Sequence, residues 1–105
     1  MKEEQRKRIE RMESIFNEMG VALKNLEDTL GDWTEKMPLY DELLSYYTSE
    51  DWMIDYEDSK NSESFPGPEE MSQAILSEDA IYDEMVRYRE LAIRLLKLAT
   101  YMIEQ

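Results

Sequence analysis

Seven apolar side chains, Ile9, Met12, Phe16, Met19, Leu23, Leu26 and Leu30, follow one another at alternating spacings of three and four residues. Only an α-helix turns that period into one continuous stripe, so the spacing predicts a helix over about residues 3–30. The series runs on in phase through Trp33 and Met37, which raises the question of a two-stranded coiled coil. The flanks of the stripe differ. Glu13 and Glu27 border one side, but Ile15 and Ala22 border the other, and this widened face suits packing against two neighbours in a bundle. Gly20 lies within the pattern, where it costs about 1 kcal/mol relative to Ala.

A second stripe, Ile81, Met85, Tyr88, Ala92, Leu95, Ala99 and Met102, predicts a last helix over about 78–104. Leu91, Leu96, Leu98 and Ile103 broaden its apolar face to roughly half the helical wheel. So broad a face calls for more than one partner, either the earlier helices or a second copy of the chain through this last helix. Leu76, Ser77 and Ile81 match the N′, N-cap and N4 positions of a hydrophobic staple.

Between these flanks the punctuation changes. Gly31 reads as a helix stop and Asp32 as the N-cap of a new helix over 33–47, with Glu35 completing a capping box. Pro38 then requires a kink at Met37 or a start just before the proline. Ser49, followed by Glu50 and Asp51, signals a short extra helix over about 50–58, its first-turn acids placed at the positive end of the helix dipole. Residues 59–76 contain SKNSESFPGP, a run of turn formers without periodicity, and read as an acidic loop. With no competing strand signal, the expected architecture is all-α: a single domain, 1–105, as a three-helix bundle of two long helices and a kinked middle helix, with the short extra helix and the loop attached.

Charge is distributed very unevenly. Of 25 acidic and 12 basic residues, 14 acidic and only 2 basic ones lie in residues 31–80, so this stretch carries −12 of the formal −13. It also holds Trp33, Tyr40, Tyr46, Tyr47, Trp52, Tyr56 and Phe65, interleaving aromatic groups with acids. Such a surface repels phosphates and anionic headgroups, which argues against direct nucleic-acid or membrane binding. The start, MKEEQRKRIER, is charged where a signal peptide is apolar, and the tract from Leu91 to Ile103 is broken by Arg94 and Lys97. With no cysteine present, a cytoplasmic setting is expected.

The absence of Cys and His removes thiolate and imidazole zinc sites, Cys or Ser/His nucleophiles and a histidine proton shuttle. Asp55, Glu57, Ser59 and Glu63 are spaced loosely like a calcium loop, but Lys60 stands where that loop needs Gly and Pro66 where it needs a bidentate Glu. Glu10 and Glu13 lack the histidines of a di-metal bundle site, and no glycine belongs to a phosphate-cradling loop. Arg6, Lys7, Arg8 and Arg11 are interspersed with Glu3, Glu4, Glu10 and Glu13, as on a solvated helix face. No catalytic residue, metal or cofactor is therefore expected, and the protein is expected not to be an enzyme.

The segments YYTSEDWMIDYE (Tyr46 to Glu57), ILSEDAIYDEM (Ile75 to Met85) and RIERME (Arg8 to Glu13) resemble a family of short helical proteins of Gram-positive bacteria catalogued as a domain of unknown function. The resemblance extends to the proline near the start of the second helix and covers most of the chain. It implies a compact helical, cytoplasmic protein of bacterial or phage type, and brings with it no activity, cofactor or catalytic residue. Taken with the residues themselves, it leads to the expectation of an acidic helical protein that binds another protein through residues 32–58. Tyr46, Tyr47, Asp51, Trp52, Asp55 and Tyr56 are its candidate contact residues. The alternative is an inhibitor, of phage or mobile-element origin, that imitates nucleic-acid charge and occupies a basic groove of a nucleic-acid-handling protein.

Overall fold

The computed structural model describes all 105 residues and is all-α, with three helices and no strand. Helix α1 runs Glu3–Tyr47, α2 Glu50–Asn61 and α3 Glu78–Ile103, with a single 3-10 turn, Ala74–Leu76, ahead of α3. The largest departure from the sequence reading is at its first boundary. Residues 3–30 and 33–47 are one uninterrupted helix of 45 residues, with Pro38 inside it. Gly31 does not take the left-handed conformation of a helix stop, since no residue has positive φ, and Asp32 caps nothing.

Phase explains this correction. The three-and-four spacing passes unbroken from Leu30 through Trp33, Met37 and Tyr40 to Leu44 and Tyr47, so a continued helix keeps one apolar face, whereas a break at Gly31 would rotate the two halves out of register. Pro38 lacks the N–H that would bond the Thr34 carbonyl, a single lost bond in a long ladder. Thr34 itself turns its hydroxyl back onto the Leu30 carbonyl at 2.7 Å. The extra helix reaches Asn61, three residues beyond its expected end, and the expected loop is shortened and contains the 3-10 turn.

The chain divides into two units, Met1–Glu42 and Leu43–Gln105. The first is wholly helical from Glu3 onward and has no buried residue. The seven stripe residues from Ile9 to Leu30 are exposed, Phe16 most of all at 73%. Two exposed ion pairs, each joining residues one turn apart, Arg6 with Glu10 at 2.8 Å and Lys24 with Asp28 at 3.3 Å, decorate it, and such pairs contribute only about 0.3–0.5 kcal/mol each.

The second unit contains the two buried side chains of the protein, Trp52 at 7% and Ile81 at 3% exposure. Each lies in the first turn or so of a helix whose start a serine caps. Ser49 is the N-cap of α2, its Oγ accepting from the Trp52 amide, and Ser77 is the N-cap of α3, its Oγ accepting from the Asp79 amide. Each cap fixes where its helix begins: Trp52 sits three residues after one cap and Ile81 four after the other. The 3-10 turn touches both α2 and α3 and joins the two starts.

A substitution at Gly31 separates a helix interior from a helix stop. With no foreign atom within 4 Å of an added Cβ, Gly31→Ala should raise the stability of α1 by about 1 kcal/mol, read as a higher melting temperature by far-UV circular dichroism. A lower one would mean that Gly31 adopts a conformation only glycine tolerates.

Candidate functional site

Three of the six residues singled out in the acidic and aromatic segment, Tyr47, Trp52 and Tyr56, meet in one cluster centred on Trp52, and Tyr46 and Asp55 pair with each other. The indole ring stacks on Tyr56, one turn along α2, with centroids 5.0 Å apart and planes 16° from parallel. Tyr47, at the end of α1, meets the same ring edge-on, at 5.0 Å and 75°. Aromatic pairs at such distances add about 0.5–1.5 kcal/mol each beyond the area they bury. The indole N–H donates to the Ile75 carbonyl at 2.8 Å, so the ring's one polar atom is satisfied by the 3-10 turn, 23 residues away.

Around this ring the polar groups close pairwise. Tyr46 donates its hydroxyl to Asp55 Oδ2 at 2.6 Å, and Tyr56 donates its own to Glu78 Oε1 at 2.8 Å, in the first turn of α3. The Tyr47 hydroxyl makes a longer contact, 3.5 Å, to the Glu78 carbonyl. Lys60 lays its ammonium over the outer face of Tyr56, 4.4 Å from the centroid, a cation–π contact. Tyr56, and to a smaller extent the charge of Glu78, holds the Lys60 ammonium above its ordinary pKa. Burial first, then the hydrogen bond to Asp55 and the negative charges of Asp55 and Asp51, push the Tyr46 phenol from 10.0 up to about 12.

This arrangement assigns the cluster a structural job. Trp52, one of the candidate contact residues, is buried and pins α2 to the turn before α3, and Tyr46, Tyr47, Asp55 and Tyr56 are half-buried. Of the six, Asp51 alone is fully in solvent. The sequence reading passed over Met53 and Ile54, which are 51% and 53% exposed on α2. Their signal was available: at 100° per residue they point 100° and 200° away from Trp52, so a buried Trp52 places them outside. Glu50, Glu57 and Asp58 flank them, all exposed.

None of the three ion pairs of the protein involves residues 31–80, the third joining Arg87 to Glu84 at 2.9 Å. The exposed acids of α2, Glu50, Asp51, Glu57 and Asp58, are thus in no ion pair. They also gather nowhere in a group of three that could hold a metal ion. No helix is long and apolar enough to cross a membrane.

Comparison with known proteins places residues 9–98 within the family described as Domain of unknown function (DUF4298). The chain belongs to this family. The matched span encloses the whole aromatic cluster, both serine caps and the exposed face of α2. No curated protein and no solved structure matches the chain.

Two outcomes follow from the cluster. Trp52→Ala should cost about 3–5 kcal/mol, with loss of hydrogen-exchange protection across α2 and the start of α3. Retained protection there would show that the ring is not the pin. The Tyr46 proton adds a pH signature. Its folded value lies above the unfolded one, so the stabilisation is whole below pH 10.0 and is lost as pH rises through about 12. Thermal melts between these limits should fall with pH for the native chain, less so for Tyr46→Phe; parallel curves would remove the assignment.

Proposed function

We propose that the protein is a non-enzymatic binding protein that engages another protein through the outward face of α2. Met53 and Ile54 supply the apolar contact, and Glu50, Asp51, Glu57 and Asp58 a surrounding negative rim. The observation that carries this reading is the combination of an exposed apolar pair with carboxylates that have no cation partner, on a helix held rigid by the Trp52 pin. A rigid element loses little conformational freedom when it binds, and a single-sign rim speeds the encounter with a basic surface. The partner is therefore a protein whose docking surface is basic around an apolar recess, met in the cytoplasm.

A second reading keeps the same face and changes the target. The carboxylates of that face, Glu50, Asp51, Glu57 and Asp58, would imitate the phosphates of a nucleic acid and occupy the basic groove of a nucleic-acid-handling protein. Salt separates the two, because a contact made chiefly of charges weakens steeply with ionic strength while one anchored by apolar side chains does not.

The test is a pull-down from the source cells at low and high salt, comparing the native chain with Met53→Lys/Ile54→Lys. We expect one protein to be held by the native chain at both salt concentrations and lost from the variant, with the melting temperature unchanged. Equal recovery by both chains removes this face from the interaction, and recovery only at low salt favours the charge-mimic reading.

A further inference from the structure

We propose that residues 9–30 of α1 pair in parallel with the same residues of a second copy of the chain, forming a two-stranded coiled coil. The seven stripe residues are between 48% and 73% exposed. Together they leave on the order of 800 Å² of surface in solvent, above the roughly 300–600 Å² of the largest apolar patch on a typical monomer. Two such stripes facing each other would bury on the order of 1,600 Å², the size of a standard specific interface.

Charge fits a parallel pair of copies better than the antiparallel register of greatest overlap. With Ile9, Phe16, Leu23 and Leu30 at position a and Met12, Met19 and Leu26 at d, the flanking e positions are Glu13, Gly20, Glu27, Thr34 and Asp41, and the g positions are Arg8, Ile15, Ala22, Thr29 and Lys36. In a parallel pair each g residue faces the e residue five places on in the second copy. Arg8 then meets Glu13, twice by symmetry, and no like charges oppose one another along the paired span. The antiparallel register that overlaps residues 9–33 fully would set Arg8 against Lys36 and Glu13 against Glu27, both repulsive.

Shape points the same way. The parallel pairing places Ile15 opposite Gly20 of the second copy, where an added Cβ would have nothing within 4 Å. The bulky residue that broadens the stripe thus meets the one flanking position without a side chain. A glycine at this point of a helix without other neighbours only weakens it; facing a branched side chain, it makes room.

The experiment is sedimentation of the native chain and of three variants between 1 and about 100 µM, a range that spans micromolar to weaker dimers. The native chain should sediment at twice its 12.6 kDa, and Phe16→Glu/Leu23→Glu as a monomer. Arg8→Glu should weaken the dimer several-fold and Arg8→Glu/Glu13→Arg should restore it. Because the chain has no cysteine, Leu23→Cys offers a conservative second measurement, since equivalent a positions adjoin only in a parallel pair and should form a disulfide with each other on oxidation. A native monomer at every concentration, a trimer, a dimer lost through Leu96→Glu in α3 but kept in Phe16→Glu/Leu23→Glu, or a dimer that leaves Leu23→Cys uncrosslinked overturns the proposal. These variants lie outside α2, so their failure is independent of the reading given for that face.

Discussion

The indole of Trp52 holds the second unit of this protein together. In a segment with two buried side chains there is no large core to spread the load, so the stacking on Tyr56, the edge contact with Tyr47 and the N–H bond to Ile75 act on a single ring. That ring links the end of α1, the whole of α2 and the turn that starts α3. The tyrosine hydroxyls complete the link by closing onto Asp55 and Glu78, so that no buried polar atom is left without a partner. Two carboxylates of an acidic segment are thereby used as hydrogen-bond acceptors.

Against this small knot, the first unit is a helix that buries nothing in its own chain segment. A helix of 40 or so residues is past the length at which propensity alone leaves it marginal, but most helical stability in proteins still comes from covering an apolar face. Its exposed ion pairs are too weak to substitute for that cover. The stripe on α1 and the negative face of α2 therefore pose different problems. The first is surface that gains by leaving water, and the second is charge that gains by meeting its opposite.

Much of this was legible before any coordinates. Three-and-four spacing announced both long helices, and the two Ser-Glu-Asp triplets announced the starts of α2 and α3, because a cap is a local hydrogen bond between residues two or three apart. The reading failed at Gly31 and Asp32, where local stop and cap signals were outweighed by an apolar phase running straight through them. Two weak local preferences, each on the order of 1 kcal/mol, do not interrupt a helix whose continuation keeps every stripe residue on one face. At Trp52 the residue types alone left open whether the ring is core or surface, because its partner carbonyl is far along the chain.

Sequence by itself determined the all-α class, the helical stripes, the capped starts and the concentration of negative charge in residues 31–80, since each depends on neighbours within a few positions or on simple counting. Tertiary structure alone decided that Trp52 faces inward and Met53 and Ile54 outward. That choice rests on the Ile75 carbonyl, 23 residues downstream of the indole it accepts from, and a contact at such separation leaves no periodic trace in the chain.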